Sequence, residues 1–364
     1  TWAFYNSCQE PFVFIDVFYI MNIAEGSPWR KHLFEEYQSA ISMMGFSGIH
    51  MDTYGFPKTA YSHLDAIPKK IKLEDELPTL IDETRENVHG EEEPYLIFNN
   101  VGAWPVQRTA DRKQDAVYIE VWPPYDRYAS IAQLIRDART YAKDDKSTIL
   151  AAYLKPFREG KREKALPAAK LLMGSIVSNG ATHLLTGENQ TALTQGYYSD
   201  YTKFSDSEAE AIRRYYDYMI RYENLFFDPE LQDVTMTHTG WDNYEYQCTS
   251  HKVSSYGEAG KIWMLLREKD YRKCIYLLNL CGQSEDYWNE GKEEPDTQKD
   301  IKFTVQVDTP VERICFSTPD GENMDAVELH FTEKTTKTGK FIDFTVPSLN
   351  YWTTIWIDTR KETI

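Results

Sequence analysis

Over its first two thirds the chain alternates short β-rich runs with longer helical ones. This alternation restricts the fold more than any other feature, because parallel strands need a crossover of a dozen or more residues, usually a helix. Candidate strands lie at 2–5, 13–21, 48–52, 95–99, 116–120, 148–153 and 182–185, with helical stretches at 28–43, 77–87, 131–142, 165–178 and 207–224. Ser205 or Asp206 is the expected N-cap of the last helix. Several runs end in polar residues, namely Asn22, Asp52, Asn99 with Asn100, Glu120, Lys155 and Glu188. That is the chemistry-bearing edge of a (β/α)8 TIM-type barrel. Seven strands are visible where eight are needed, so a barrel here lacks at least its first strand, which is expected upstream of Thr1. After about Asp233 the texture changes to alternating segments at 261–266, 271–280, 301–307, 313–317 and 341–346. The expected organisation is an α/β barrel over residues 1–232 and an all-β sandwich over 233–364, with 285–300 as a solvated loop.

The charge balance excludes one class of partner. Forty basic against 57 acidic residues give a net charge of −17, which opposes binding to nucleic acid or an anionic membrane surface. No apolar run approaches the ~20 residues of a membrane span, so none is expected. No basic stretch followed by an apolar one precedes the first strand, so no signal peptide is visible. The five cysteines form no C-x-x-C pair and no His-coupled zinc spacing, and read as buried small side chains rather than disulfides. Phosphate-binding, dinucleotide, zinc-protease and nucleophile-elbow motifs are absent, which leaves neither cofactor nor metal as an expectation.

Two strand ends remain. In Gly45-Phe-Ser-Gly-Ile-His-Met-Asp-Thr-Tyr-Gly55, period-two geometry puts His50, Asp52 and Tyr54 on one side; in the 115–122 run, Tyr118, Glu120 and Trp122 share a face. Each end presents one carboxylate beside aromatic rings. Glycoside cleavage needs such a pair, one carboxyl to protonate the leaving oxygen and one carboxylate to attack or stabilise the oxocarbenium-like centre. Burial beside a second negative charge favours the protonated form that the acid requires. The plainer alternative is that Asp52 caps the next turn and Glu120 forms an ion pair.

The 45–55 run, the Phe98-Asn-Asn-Val-Gly102 segment and Tyr118-Ile-Glu-Val-Trp122, in that order, resemble glycoside hydrolase family 66, the dextranases and cyclodextran-forming glucanotransferases. Tyr19-Ile-Met-Asn22 and the helix after Trp29 are similar too. The resemblance implies a (β/α)8 barrel with a C-terminal β-sandwich and retaining endo-hydrolysis of α-1,6-glucan, with no cofactor. It makes Asp52 the nucleophile at the end of the fourth barrel strand and Glu120 the acid/base at the end of the sixth. The family's glucanotransferases carry a large carbohydrate-binding insertion after the seventh strand, whereas here only Lys155 to Pro167 separates that strand from its helix. A hydrolase is therefore expected over a cyclising transferase. A polymeric glucan substrate implies an extracellular, cell-surface or periplasmic enzyme, and a monomer is expected.

Around the carboxylates, Asn99 and Asn100 are candidates to hydrogen-bond sugar hydroxyls. Trp104, Trp122, Tyr153 and Tyr198 are candidate stacking platforms, with rim packing as the alternative. His50, Tyr54 and Tyr118 would flank the cleft. Lys155 and Glu188 read either as subsite residues or as an ion pair at the barrel mouth. Two rival functions remain: a metal-dependent barrel hydrolase using His50, Asp52, Glu120 and His183, and a glycan-binding protein without catalysis.

Overall fold

The computed structural model describes residues 2–143, 146–196, 202–239 and 243–360. The chain falls into two compact units, residues 1–123 with 136–151, and residues 124–135 with 152–364.

The first unit is organised by a parallel sheet in the order Gly48–Met51, Tyr95–Val101, Ala116–Glu120, Ser147–Ala151. Gly48 pairs with Tyr95, Asn99 with Tyr118, and Val101 with Glu120, so the second and third strands end level while Met51, the end of the first, stands opposite Phe98. Helix Pro28–Met44 starts where Ser27 Oγ accepts from Trp29 N at 3.2 Å and Pro28 fills the first turn; it stops at Gly45, whose φ of 72° suits glycine. Arg30, buried on that helix, donates to Glu83 (2.9 Å), Thr79 (2.9 Å) and the Ile23 carbonyl (3.0 Å), and so pins it to helix Leu73–Asn87. The second helix buries Leu73, Leu77, Leu80, Ile81 and Thr84, an i, i+4, i+7, i+8, i+11 stripe. This stripe packs with Phe4, Met51, Leu96 and Phe98 in one apolar cluster.

Two of the expected parallel strands are not strands of this sheet. Residues 2–5 make only isolated bridges, from Ala3 to Met21 and from Tyr5 to Pro11 and Tyr61. The 13–21 run folds back on itself, Val13–Phe14 pairing antiparallel with Phe18–Tyr19. The cause is local, since Ile15 and Asp16 both take positive φ (45° and 58°) and reverse the chain. Among the described residues the hydrogen-bonded strand order of the first unit is thus open and does not itself show a closed barrel.

In the second unit, helix Ala165–Ser178 is apolar on nearly every side and correspondingly buried. Helix Asp206–Arg221 opens with a capping box, Ser205 Oγ accepting from Glu208 N while Glu208 accepts from Ser205 N. An antiparallel sheet follows, with Ile262–Lys269, Arg272–Asn279, Trp352–Thr359 and Val311–Ser317 as successive neighbours. A second has the order Tyr246–Cys248, Gln298–Gln306, Gly339–Leu349, Phe331–Thr336. Met264, Ile275, Ile314 and Ile355 of the first join Phe303, Ile342, Phe344 and Val346 of the second in one core.

Part of the 285–300 segment is not a solvated loop. Trp288 and Lys292 are buried, Trp288 Nε1 donates to the Tyr125 carbonyl at 2.7 Å, and Lys292 forms an ion pair with Glu285. Arg127 pairs with Asp286, Lys155 with Glu290 at 2.5 Å, and Lys164 with Glu293. Residues 285–293 thereby act as a strap across 125–128 and 155–164 of the same unit. Of the cysteines, all free, only Cys274 and Cys315 are buried; Cys8 is exposed, and Cys248 and Cys281 are half-buried.

Candidate active site

The end of the first parallel strand leaves Asp52 exposed, whereas Glu120, the last residue of the third, is only 6 % exposed. Between them stands Asn99, 5 % exposed, on the middle strand. Its Nδ2 donates to Asp52 Oδ1 at 2.7 Å and to Glu120 Oε2 at 3.3 Å. Those two distances cap the separation of the two oxygens at about 6.0 Å. Asp52 Oδ1 also accepts from Thr53 N at 2.9 Å, while Oδ2 takes no hydrogen bond from the described residues and faces solvent. The turn-capping alternative for Asp52 is therefore real for one oxygen and leaves the other open.

His50, itself exposed on the first strand, and the buried Tyr118 meet edge to face, ring centroids 4.5 Å apart. Desolvation lowers the His50 pKa, and the charges of Asp52 and Glu120 oppose that shift. A cavity of about 330 Å³ reaches Asp52 and is lined by Trp29, Tyr37, Tyr54, Phe56 and Trp104 among others, a volume that suits one or two sugar-sized groups. Burial first, then the Asp52 charge, pushes the Tyr37 hydroxyl up to about 12, so it remains a proton donor throughout the neutral range.

Other sequence candidates take different places. Asn100 is fully buried, both amide hydrogens going to the carbonyls of Tyr118 (2.9 Å) and Phe98 (3.3 Å), and its oxygen accepts from Thr109 at 2.6 Å. It ties strands together and offers no donor to a sugar. Tyr54 packs on Phe14, centroids 4.4 Å apart, and one face of Trp104 is covered by the Lys58 ammonium 3.6 Å from the ring centroid. Trp122 is half-buried just beyond Glu120. Tyr153, Lys155 and Glu188 belong to the second unit: Tyr153 is half-buried, Lys155 pairs with Glu290, and Glu188 is exposed with no ion pair among the described residues. The mouth pairing expected of Lys155 with Glu188 is thus replaced. Tyr198 lies outside the described residues.

Two contributors were not singled out from the sequence. Thr53 holds Asp52 Oδ1 through its backbone nitrogen and reaches the Asn99 carbonyl with its hydroxyl at 3.4 Å; its position immediately after a strand-end Asp is the available signal. Tyr37 comes from a helix with no local motif. Among the described residues no group of three or more His, Cys, Asp or Glu side chains is placed to hold a metal ion. His183, invoked for a metal-dependent reading, is 1 % exposed and its Nε2 is 2.9 Å from the Ala152 carbonyl.

Comparison with known proteins adds the family. Two cycloisomaltooligosaccharide glucanotransferases of Niallia circulans are 28% identical over 193 residues and 26% over 191, each match covering 52% of this chain. The chain spans only 19% of the length of either relative. A solved Paenibacillus cycloisomaltooligosaccharide glucanotransferase, complexed with cycloisomaltoheptaose, superposes with a TM-score of 0.86 at 17% identity, covering 98% of this chain and 69% of that one. A noncanonic maltogenic α-amylase from Thermotoga neapolitana shares the fold more distantly, with a TM-score of 0.54 at 10% identity, over 99% of this chain and 72% of that one. The model of glycosyl hydrolase family 66 matches residues 6–356, and the chain belongs to that family.

Proposed function

We propose that this chain carries the catalytic centre of a retaining, endo-acting glycosidase that cleaves α-1,6-glucosidic linkages of dextran-type glucans. The observation that carries the reading is the sharing of one amide nitrogen by Asp52 and Glu120. Their oxygens are capped at about 6.0 Å, close to the ~5–5.5 Å carboxyl spacing of retaining enzymes and short of the ~6.5–9.5 Å that admits a water in inverting ones. Asp52 Oδ2, open to solvent, attacks the anomeric carbon as buried Glu120 gives its proton to the leaving oxygen. Glu120 then takes a proton from water, whose oxygen displaces Asp52 from the same carbon. Tyr54, Trp104 and Trp122 serve as sugar-facing aromatics in this reading, with His50 and Tyr118 flanking the cleft.

The parallel sheet belongs, in the same proposal, to a (β/α)8 barrel of which residues 1–232 form part, and the two antiparallel sheets of 233–364 form an accessory β-sandwich. An extracellular, cell-surface or periplasmic location belongs to the same proposal, because a polymeric glucan is too large to enter a cell unaided, and the chain is proposed to act as a monomer; among the described residues no helix is long and apolar enough to cross a membrane. A second reading, cyclodextran formation, is favoured by the named activity of the Niallia relatives. Against it stands the short connection between Ser147–Ala151 and Ala165–Ser178, filled only by two single-turn helices, Lys155–Phe157 and Arg162–Lys164.

Incubation with dextran decides between them. Linear isomaltooligosaccharides released as the α-anomer support hydrolysis with retention, cyclic products support transfer, and β-anomeric products refute the retaining mechanism. Asp52→Asn is expected to abolish turnover while preserving the fold; an active variant refutes the nucleophile assignment.

A further inference from the structure

We propose that Asn99 is a positioning residue whose amide follows the negative charge as it passes from Asp52 to Glu120 and back during the two half-reactions. The inference rests on the retaining reading above. In the resting site the charge belongs to Asp52, and in the glycosyl-enzyme it belongs to Glu120. The Asp52 Oδ2–anomeric carbon bond has then formed, the glycosidic bond has broken and the Glu120 proton has left with the alcohol. Water reverses this, its proton returning to Glu120 as its oxygen replaces Oδ2 on carbon.

One NH₂ group already touches both ends of that shuttle. Its 2.7 Å bond goes to Asp52 and its 3.3 Å bond to Glu120. A charged acceptor draws the shorter bond, so the asymmetry matches the resting distribution of charge. The orientation is set by chemistry, since turning the amide over would place Oδ1 against two carboxylate oxygens. Asn99 Oδ1 is itself buried and accepts no hydrogen bond from the described residues. A side chain serving only the strand-to-loop turn would satisfy its oxygen first; here that oxygen is forgone and the nitrogen is aimed at both reacting groups. The Thr53 hydroxyl on the Asn99 carbonyl at 3.4 Å and the Thr53 nitrogen on Asp52 Oδ1 at 2.9 Å brace the same pair from the other side.

The test compares Asn99→Ala with the near-isosteric Asn99→Asp, each checked for folding by circular dichroism, through the pH dependence of kcat/KM and kcat on dextran. Removing the donor is expected to lower kcat about 10²-fold, the size of effect seen when one preorganised donor to a charged group is lost, with KM changed much less. Both limbs of the pH profile are expected to move to higher pH, the acid limb the more because the shorter bond is lost there, and farther in Asn99→Asp than in Asn99→Ala. If Asn99→Ala does not fold, Asn99→Asp retains the shape and gives the same readout. A fall in kcat with both limbs unmoved would mean that Asn99 only supports the strands, and would overturn the inference while leaving the two-carboxylate reading intact. Full turnover in Asp52→Asn measured alongside, or no turnover of dextran by the unaltered chain, would overturn that reading and this inference together.

Discussion

Gly174 lies inside helix Ala165–Ser178, a position where replacement by alanine ought to help, since interior Gly→Ala gains about 1 kcal/mol of helix propensity. The packing reverses that expectation. A β-carbon at this position would stand 2.7 Å from Leu278 Cδ2 and 3.1 and 3.2 Å from Trp352 Cγ and Cδ2. The leucine methyl can rotate away. Trp352 has no such freedom, being fully buried and surrounded by Tyr218, Phe226 and Tyr215 at centroid distances of 4.9, 5.2 and 5.9 Å. Overpacking of this kind costs about 1–3 kcal/mol, so Gly174→Ala is expected to destabilise the fold by about 1 kcal/mol net, after the propensity gain of about 1 kcal/mol is set against it. Urea titration followed by tryptophan fluorescence measures this as a lower midpoint at unchanged slope. Combined with Leu278→Ala, the loss should be smaller than the sum of the two single losses, because that truncation removes the nearest of the three atoms. A midpoint raised by Gly174→Ala alone would refute the argument, showing that the tryptophan can move and that propensity decides.

Two further outcomes follow from groups buried away from solvent. Burial holds His183 neutral with a pKa lowered to about 4, against an ordinary value of 6.5, only partly offset by its bond to the Ala152 carbonyl. The unfolded chain therefore takes up a proton that the folded one refuses; stability should decline as pH falls from about 6.5 to about 4, by on the order of 3 kcal/mol, and be independent of this group above that window. His183→Gln, which keeps a donor without titrating, should flatten that slope in denaturant titrations across pH, and an equally steep slope would refute the assignment. Asn100→Ala should cost at least about 2 kcal/mol in the same assay, since it strips partners from Thr109, Tyr118 and Phe98 in a site closed to water; a near-neutral variant would contradict the buried network.

The candidate carboxylates were more legible than the frame that holds them. Asp52 and Glu120 stand out because each follows a β-rich run at a polar end, and period two fixes which neighbours share their face. The work of Asn99 was not legible, since a side chain bridging two other strands leaves no mark in the local pattern of its own. Residues 13–21 read as one strand because Val, Phe and Ile follow one another; the turn that breaks them depends on Ile15 and Asp16 taking positive φ, a conformation that a β-branched residue such as Ile15 rarely adopts. Trp352–Thr359 sits in the middle of its sheet with all eight residues buried, so no alternation announces it. The strap was hidden for the opposite reason, because Glu285, Asp286, Glu290 and Glu293 look like a solvated acidic run until their cations, 127, 155, 164 and 292, are brought to them.

That strap sets an order of events during synthesis. The segment carrying Tyr125 and Arg127 follows Glu120 directly in the chain, yet its partners Asp286 and Trp288 are 159 and 163 residues downstream of the groups they hold. Lys155 and Lys164 wait for residues 135 and 129 positions later. A ribosome that has delivered every strand of the parallel sheet has still not delivered the residues that fasten the segment following Glu120 in the chain. The nascent polypeptide consequently passes through a long interval in which residues 125–128 and 155–164 exist without their partners, and they are fastened only when the C-terminal β segments have emerged and closed those long loops.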